Sequence, residues 1–196
     1  MDRRSVPALL IAATIAAPAF CATGNLVIYD DADKNSFDHN AAACGGNDGV
    51  FFGETQVVHS GSAAIAVSKF YDNNGAGWAA PTTYSASADY DGISFWVNAG
   101  SDPTTVTSLG IYDAEFSPHF LHLEDVYGGA LPANTWIPFQ IPFSSPFFAA
   151  NSSSPPETVQ VICLVNHNSG GSPTTFLYFD DIALTGADIF KNGFEN

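Results

Sequence analysis

From residue 25 onward, short apolar and aromatic runs alternate with clusters of Gly, Pro, Asn, Asp and Ser. The runs are NLVIYD (25–30), GVFFGE (49–54), AAIAVSKF (63–70), DGISFWVNA (91–99), SLGIYDA (108–114), HFLHLEDV (119–126), TWIPFQIPF (135–143), TVQVICLVN (158–166) and FLYFDDIAL (176–184). Each has the length and turn-residue punctuation of a β-strand. Past the N-terminal segment, no stretch of ten or more residues keeps helical periodicity without a Gly or Pro in it. Sixteen Phe and seven Tyr add to the β preference. Nine such strands predict an all-β fold, a two-sheet antiparallel β-sandwich.

Side chains alternate across a strand, so the same runs predict which residues face the core. Ile93, Phe95 and Val97 share one face of their strand, with Ser94, Trp96 and Asn98 opposite. In the 119–126 run, Leu121 and Leu123 lie with His119, while His122 and Glu124 point the other way. Ile137, Phe139, Ile141 and Phe143 form an inward set, leaving Trp136 and Gln140 outside. Strict alternation also sends one member of the Asp180–Asp181 pair toward the core, where a lone carboxylate is costly.

The first 22 residues read differently. Arg3 and Arg4 precede an apolar stretch from Val6 to Ala17 and then small residues, the order of a secretory signal peptide. That stretch is shorter than the roughly 20 residues of a membrane span. We expect an exported protein with a domain at 23–186, a ten-residue tail at 187–196, and no membrane insertion. The formal net charge is −15, and signal removal leaves Lys34, Lys69 and Lys191 as the only basic side chains. Such a chain repels nucleic acid, anionic lipid and acidic polysaccharide, leaving neutral ligands and cations. Cys44 and Cys163 could pair in an oxidising compartment; equally, Cys163 in VQVICLV could be a small buried hydrophobe. The sequence leaves the oligomeric state open.

The order of segments carries a likeness. VIYDDAD, VVHSGSAAIAV, YSASADYDGISFWVNAG, TWIPFQIPFSSPF, TVQVICLVN and FLYFDDIAL follow one another as in carbohydrate-binding modules of the galactose-binding-like, jelly-roll kind. The chain most resembles modules that accompany xylanases and β-glucanases, over roughly residues 25 to 186. That resemblance implies a jelly-roll sandwich holding one structural Ca²⁺. Asp180 would be its main side-chain ligand, Asp30 or Asp31 its partners, with carbonyls near Gly61 completing an oxygen shell. An inward aspartate capping backbone amides at a sheet edge would need no metal. The tail ADIFKNGFEN is similar to an ending found on exported proteins of Gram-negative bacteria, which implies a secreted, periplasmic or cell-surface location.

The resemblance further implies a groove for a neutral polysaccharide or oligosaccharide, with aromatic faces against sugar rings. Candidates are Tyr71, Trp78, Trp96, Tyr112, His122 and Tyr127, with Asn73, Glu124 and Gln140 as hydroxyl partners. YDNNGAGW (71–78) is the loop in which such groups would cluster. Catalysis is not expected. The E-x-D-x-x-E signature of sandwich glucanases, a Gly-x-Ser-x-Gly elbow and a phosphate loop are all missing, and His119 and His122 fall on opposite strand faces. The alternatives are a non-catalytic surface or matrix protein that uses the sandwich for protein contacts, and a glycoside hydrolase.

Overall fold

The computed structural model describes residues 24–39, 44, 49–103, 106–152, 154–167 and 174–186. The expected signal peptide at 1–22 and tail at 187–196 lie outside them. The strands are β1 (Leu26–Asp30), β2 (Ala32–Asp33), β3 (Val50–Glu54), β4 (Ala64–Ser68), β5 (Asn74–Ser85), β6 (Gly92–Asn98), β7 (Thr107–Tyr112), β8 (Pro118–His122), β9 (Trp136–Pro142), β10 (Thr158–Asn166) and β11 (Phe176–Thr185). Two short helices, α1 (Leu123–Tyr127) and α2 (Pro146–Asn151), complete the described elements.

All pairings are antiparallel, and they form two sheets as the hydrophobic pattern predicts. One sheet has four strands in the order β5–β10–β7–β8. The other has seven: β11 pairs with β6 on one side, and on the other with β4 along its first half and β1 along its second. Strands β9, β3 and β2 extend it. Between the sheets lies a single large apolar core containing Ile93, Phe95, Val97, Ile137, Phe139, Ile141 and Phe143, the inward sets expected from alternation.

Three features depart from the pattern. The longest strand, β5, runs through NGAGWAAPTTYS, where Gly, Ala and Pro disguise it. It is an edge strand, and Pro81 falls where its register with β10 slips, the position in a sheet that tolerates proline. The 119–126 run is not all strand. It leaves the sheet after His122, and Gly128, at φ 88°, closes a helical turn. Glu124, expected outside, is therefore buried and accepts the Thr107 amide at 2.8 Å. Finally, β11 carries a bulge between Asp180 and Ala183, with Asp181 at φ 52°. A bulge breaks alternation, so Phe179 and Ile182 both enter the apolar core with Asp180, at 1% exposure, buried between them as expected of one member of the pair, while Asp181 stays partly exposed.

Cys44 and Cys163 form a disulfide, with Cα atoms 5.3 Å apart and a separation of 119 positions in sequence. Closing so long a loop stabilises the fold by roughly 4–5 kcal/mol in the chain-entropy description. Among the described residues no helix is long and apolar enough to cross a membrane.

Candidate functional site

The register of the four-stranded sheet fixes its outward positions in three rows. Gly75, Val165, Ser108 and His122 form one; Gly77, Cys163, Gly110 and Phe120 the next; Ala79, Val161, Tyr112 and Pro118 the third. None of these positions carries a carboxylate or an ammonium group, on a chain with 20 acidic residues. The face therefore divides by what covers it. On the β5–β10 side, Cys44 sits over Gly77 so closely that a Cβ there would lie 1.9 Å from its sulfur. On the β7–β8 side the Phe120 ring leans over Gly110, and the Tyr112 and Phe120 rings meet edge to face at 5.9 Å. Beside them His122 Nδ1 and the Ser108 hydroxyl are 2.9 Å apart.

His167 extends this strip at the end of β10, its ring 6.3 Å from that of His122 and its Nδ1 2.7 Å from Asn73 Oδ1. Burial, then the neighbouring His122, pulls the His167 pKa down, keeping its imidazole neutral. Burial raises the Tyr112 phenol, which stays a protonated donor. The strip offers two aromatic rings, the Tyr112 phenol and the imidazoles of His122 and His167, while the Ser108 hydroxyl lies fully buried beneath them. These groups can stack on sugar C–H faces and hydrogen-bond to sugar hydroxyls.

The six residues expected to bind sugar are not gathered in one place. Tyr112 and His122 lie on this face. Trp78 does not: it is 0% exposed, in the core, with its indole N–H donating to Asp33 at 2.9 Å. The reason is β5, whose alternation turns Ala76, Trp78 and Ala80 inward. Trp96 points outward from the other sheet but is roofed by His59, the two rings stacked at 3.7 Å. Tyr71 lines a pocket on that same sheet's edge. Tyr127 stands exposed at the end of α1. Phe120 and His167 were missed, although Phe120 shares its strand face with His122 by the same alternation. A surface cavity of about 610 Å³, lined by Ser and Pro around Phe143 and Glu157, includes none of these residues.

The aspartates expected to hold calcium meet a different kind of partner. Asp180 accepts hydrogen bonds from the amides of His59, Ser60 and Asp181 at 3.0, 3.3 and 2.9 Å. Asp181 receives the Ser60 hydroxyl at 2.7 Å and lies 2.7 Å from His59 Nδ1. Asp31 accepts the amides of Ser62 and Ala63 at 2.6 and 2.8 Å, which pull its pKa down. Gly61, at φ 63°, makes this possible, because a Cβ there would lie 2.4 Å from the Asp31 carboxylate. Asp30 is exposed. The 59–63 loop thus turns the N–H groups of His59, Ser60, Ser62 and Ala63 toward the carboxylates. Calcium needs six to eight oxygens, and this donor set does not fit that shell. Burial raises the Asp180 pKa even against its three amide donors.

No protein-family model and no curated protein sequence matches the chain. Solved structures similar to it include a xylan-binding domain of carbohydrate-binding family 22, at 14% identity, covering 69% of this chain and 81% of that one with a TM-score of 0.41. Another is the carbohydrate-binding module CtCBM11, at 14% identity, 85% and 98% coverage and a TM-score of 0.46. A third is the K2 cleaved adhesin domain of Lys-gingipain, at 12% identity, 68% and 78% coverage and a TM-score of 0.38. At these identities and TM-scores, the matches say nothing about what this chain binds.

Proposed function

We propose that this protein is an exported, non-catalytic carbohydrate-binding module whose ligand is a neutral polysaccharide or oligosaccharide. The ligand lies along the β7–β8 side of the four-stranded sheet, stacked on Tyr112 and Phe120 and hydrogen-bonded by His122 and His167, with the buried Ser108 hydroxyl holding the His122 ring from beneath. One observation carries the reading: on a strongly acidic chain, this face presents aromatic rings and hydroxyl partners with no charged side chain among its strand positions. Such a surface suits a ligand with hydroxyls and C–H faces but no charge, and would discriminate little between charged partners.

Glycoside hydrolysis needs two carboxylates about 5–9.5 Å apart across the bound sugar, and these rows supply none. The disulfide supports an oxidising compartment, in keeping with export.

The test is affinity-gel electrophoresis of the purified protein through neutral polysaccharides (xylan, mixed-linkage β-glucan, glucomannan, agarose) and through polygalacturonate. Retardation by a neutral gel that is lost on Tyr112→Ala/Phe120→Ala, with mobility in polygalacturonate unchanged, is the expected result. Unretarded migration in every neutral gel overturns the reading.

A further inference from the structure

On the other side of the sandwich, at the β3 edge of the seven-stranded sheet, three large aromatic side chains stand in water. Phe51 is 54% exposed, Phe70 46% and Tyr71 45%. They are not scattered. With Phe176, Ser68 and Gly49 they line one pocket of about 390 Å³, within the roughly 300–1,000 Å³ range of small-molecule sites. Phe51 meets Phe176 edge to face at 5.8 Å, and Phe70 meets Tyr71 the same way at 5.0 Å. The two perpendicular pairs therefore present both ring faces and ring edges to whatever enters. Polar groups are few and neutral: the Ser68 hydroxyl, which accepts the Phe70 amide at 3.2 Å and keeps its own proton to donate, and the Tyr71 phenol. Among the described residues no charged side chain lines the pocket of this acidic protein.

We infer that this pocket is a second carbohydrate site, taking a ring of a neutral oligosaccharide, so that one molecule can bridge two glycan chains. Exposed aromatic clusters mark binding surfaces, and the absence of charge selects the same ligand class as the opposite face. A protein strand added to the edge is disfavoured, because β3 slips register between Phe52 and Glu54, with Gly53 at φ 91°, which interrupts the free edge. The inference borrows only the ligand class from the reading above; its residues are separate. Two sites on opposite faces would also raise avidity, since binding two chains multiplies apparent affinity by about 10²–10⁴ on a dense polysaccharide.

The experiment measures stoichiometry by calorimetry with cellohexaose, xylohexaose, laminarihexaose and mannohexaose, and turbidity with the corresponding polysaccharides. Wild type is compared with Phe51→Ala/Tyr71→Ala and with Tyr112→Ala/Phe120→Ala, with near-ultraviolet circular dichroism checking that each variant is folded. The expected result is two oligosaccharides per chain in wild type and one in each variant, with turbidity in wild type alone. If Tyr112→Ala/Phe120→Ala abolishes all binding while Phe51→Ala/Tyr71→Ala changes nothing, the second site is overturned and the first stands. If the effects are reversed, the pocket stands and the strand-face reading falls. A wild type that binds none of the four overturns both.

Discussion

The two outer faces of the sandwich are made of strands with the same alternating pattern, yet they handle charge in opposite ways. The four-stranded face has no carboxylate in its three rows. The seven-stranded face brings Asp180 and Asp181 onto one loop and, with Asp31, neutralises them with amides and hydroxyls of residues 59–63. A carboxylate that organises backbone is spent internally and is unavailable to a ligand. A face stripped of charge is left free to accept one. The carboxylates around residues 59–63 hold one corner of the seven-stranded sheet together, whereas the rows of the four-stranded face carry none.

The contrast can be broken at its strongest point first. The disulfide anchors Cys44 over the middle row of the four-stranded face. Cys44→Ala/Cys163→Ala is expected to lower unfolding free energy by about 3–5 kcal/mol in urea titrations; a loss under about 1 kcal/mol would show that the loop constraint contributes little to this fold.

On the other face, Asp180→Asn turns an amide donor toward the His59 and Ser60 amides and should cost about 2–3 kcal/mol. EDTA should leave the melting temperature of wild type unchanged, because amides and hydroxyls already satisfy these carboxylates. A clear drop with EDTA, restored by Ca²⁺, would mean that a cation rather than the amides holds the loop.

Tyr112→Ala and Phe120→Ala should each weaken binding to the retarding polysaccharide by about 1 kcal/mol, roughly fivefold, with little change in melting temperature. Trp78→Phe should do the reverse, lowering stability through the lost bond to Asp33 while leaving affinity intact.

The smallest effect is on pH. The His167 pKa is lowered in the folded state, so the unfolded chain binds this proton more readily. Its contribution to stability is full above the ordinary histidine value near 6.5 and declines as pH falls below it. His167→Asn should flatten the slope of melting temperature between about pH 6.5 and 5; an unchanged slope would assign it to other groups.

Much of the sandwich was legible because strands half-buried in a core must alternate. The Ile93–Val97 and Ile137–Phe143 sets landed inside as read. β5 was illegible, since Gly75, Ala76 and Gly77 carry no hydrophobic signal and owe their strand to hydrogen bonds with β10. Misreading β5 as a loop is what promoted Trp78 to a ligand contact. Only part of the site could be read. Alternation placed His122 outward and would have placed Phe120 with it, but the meeting of Tyr112 with Phe120 depends on the register of β7 against β8. The Phe51–Phe176 pocket joins residues 125 positions apart, a distance no local pattern spans.

The sequence by itself determined the class of fold and its large acidic excess, because periodicity and net charge are properties of the chain at short range or in sum. Tertiary structure alone decided that Cys44 meets Cys163, that a bulge turns Asp180 and Asp181 to one loop, and which of the aromatics reach water. Those outcomes depend on strand register and on a single extra residue in β11. A one-residue slip exchanges every inward side chain for an outward one, and only the packed core selects between the two.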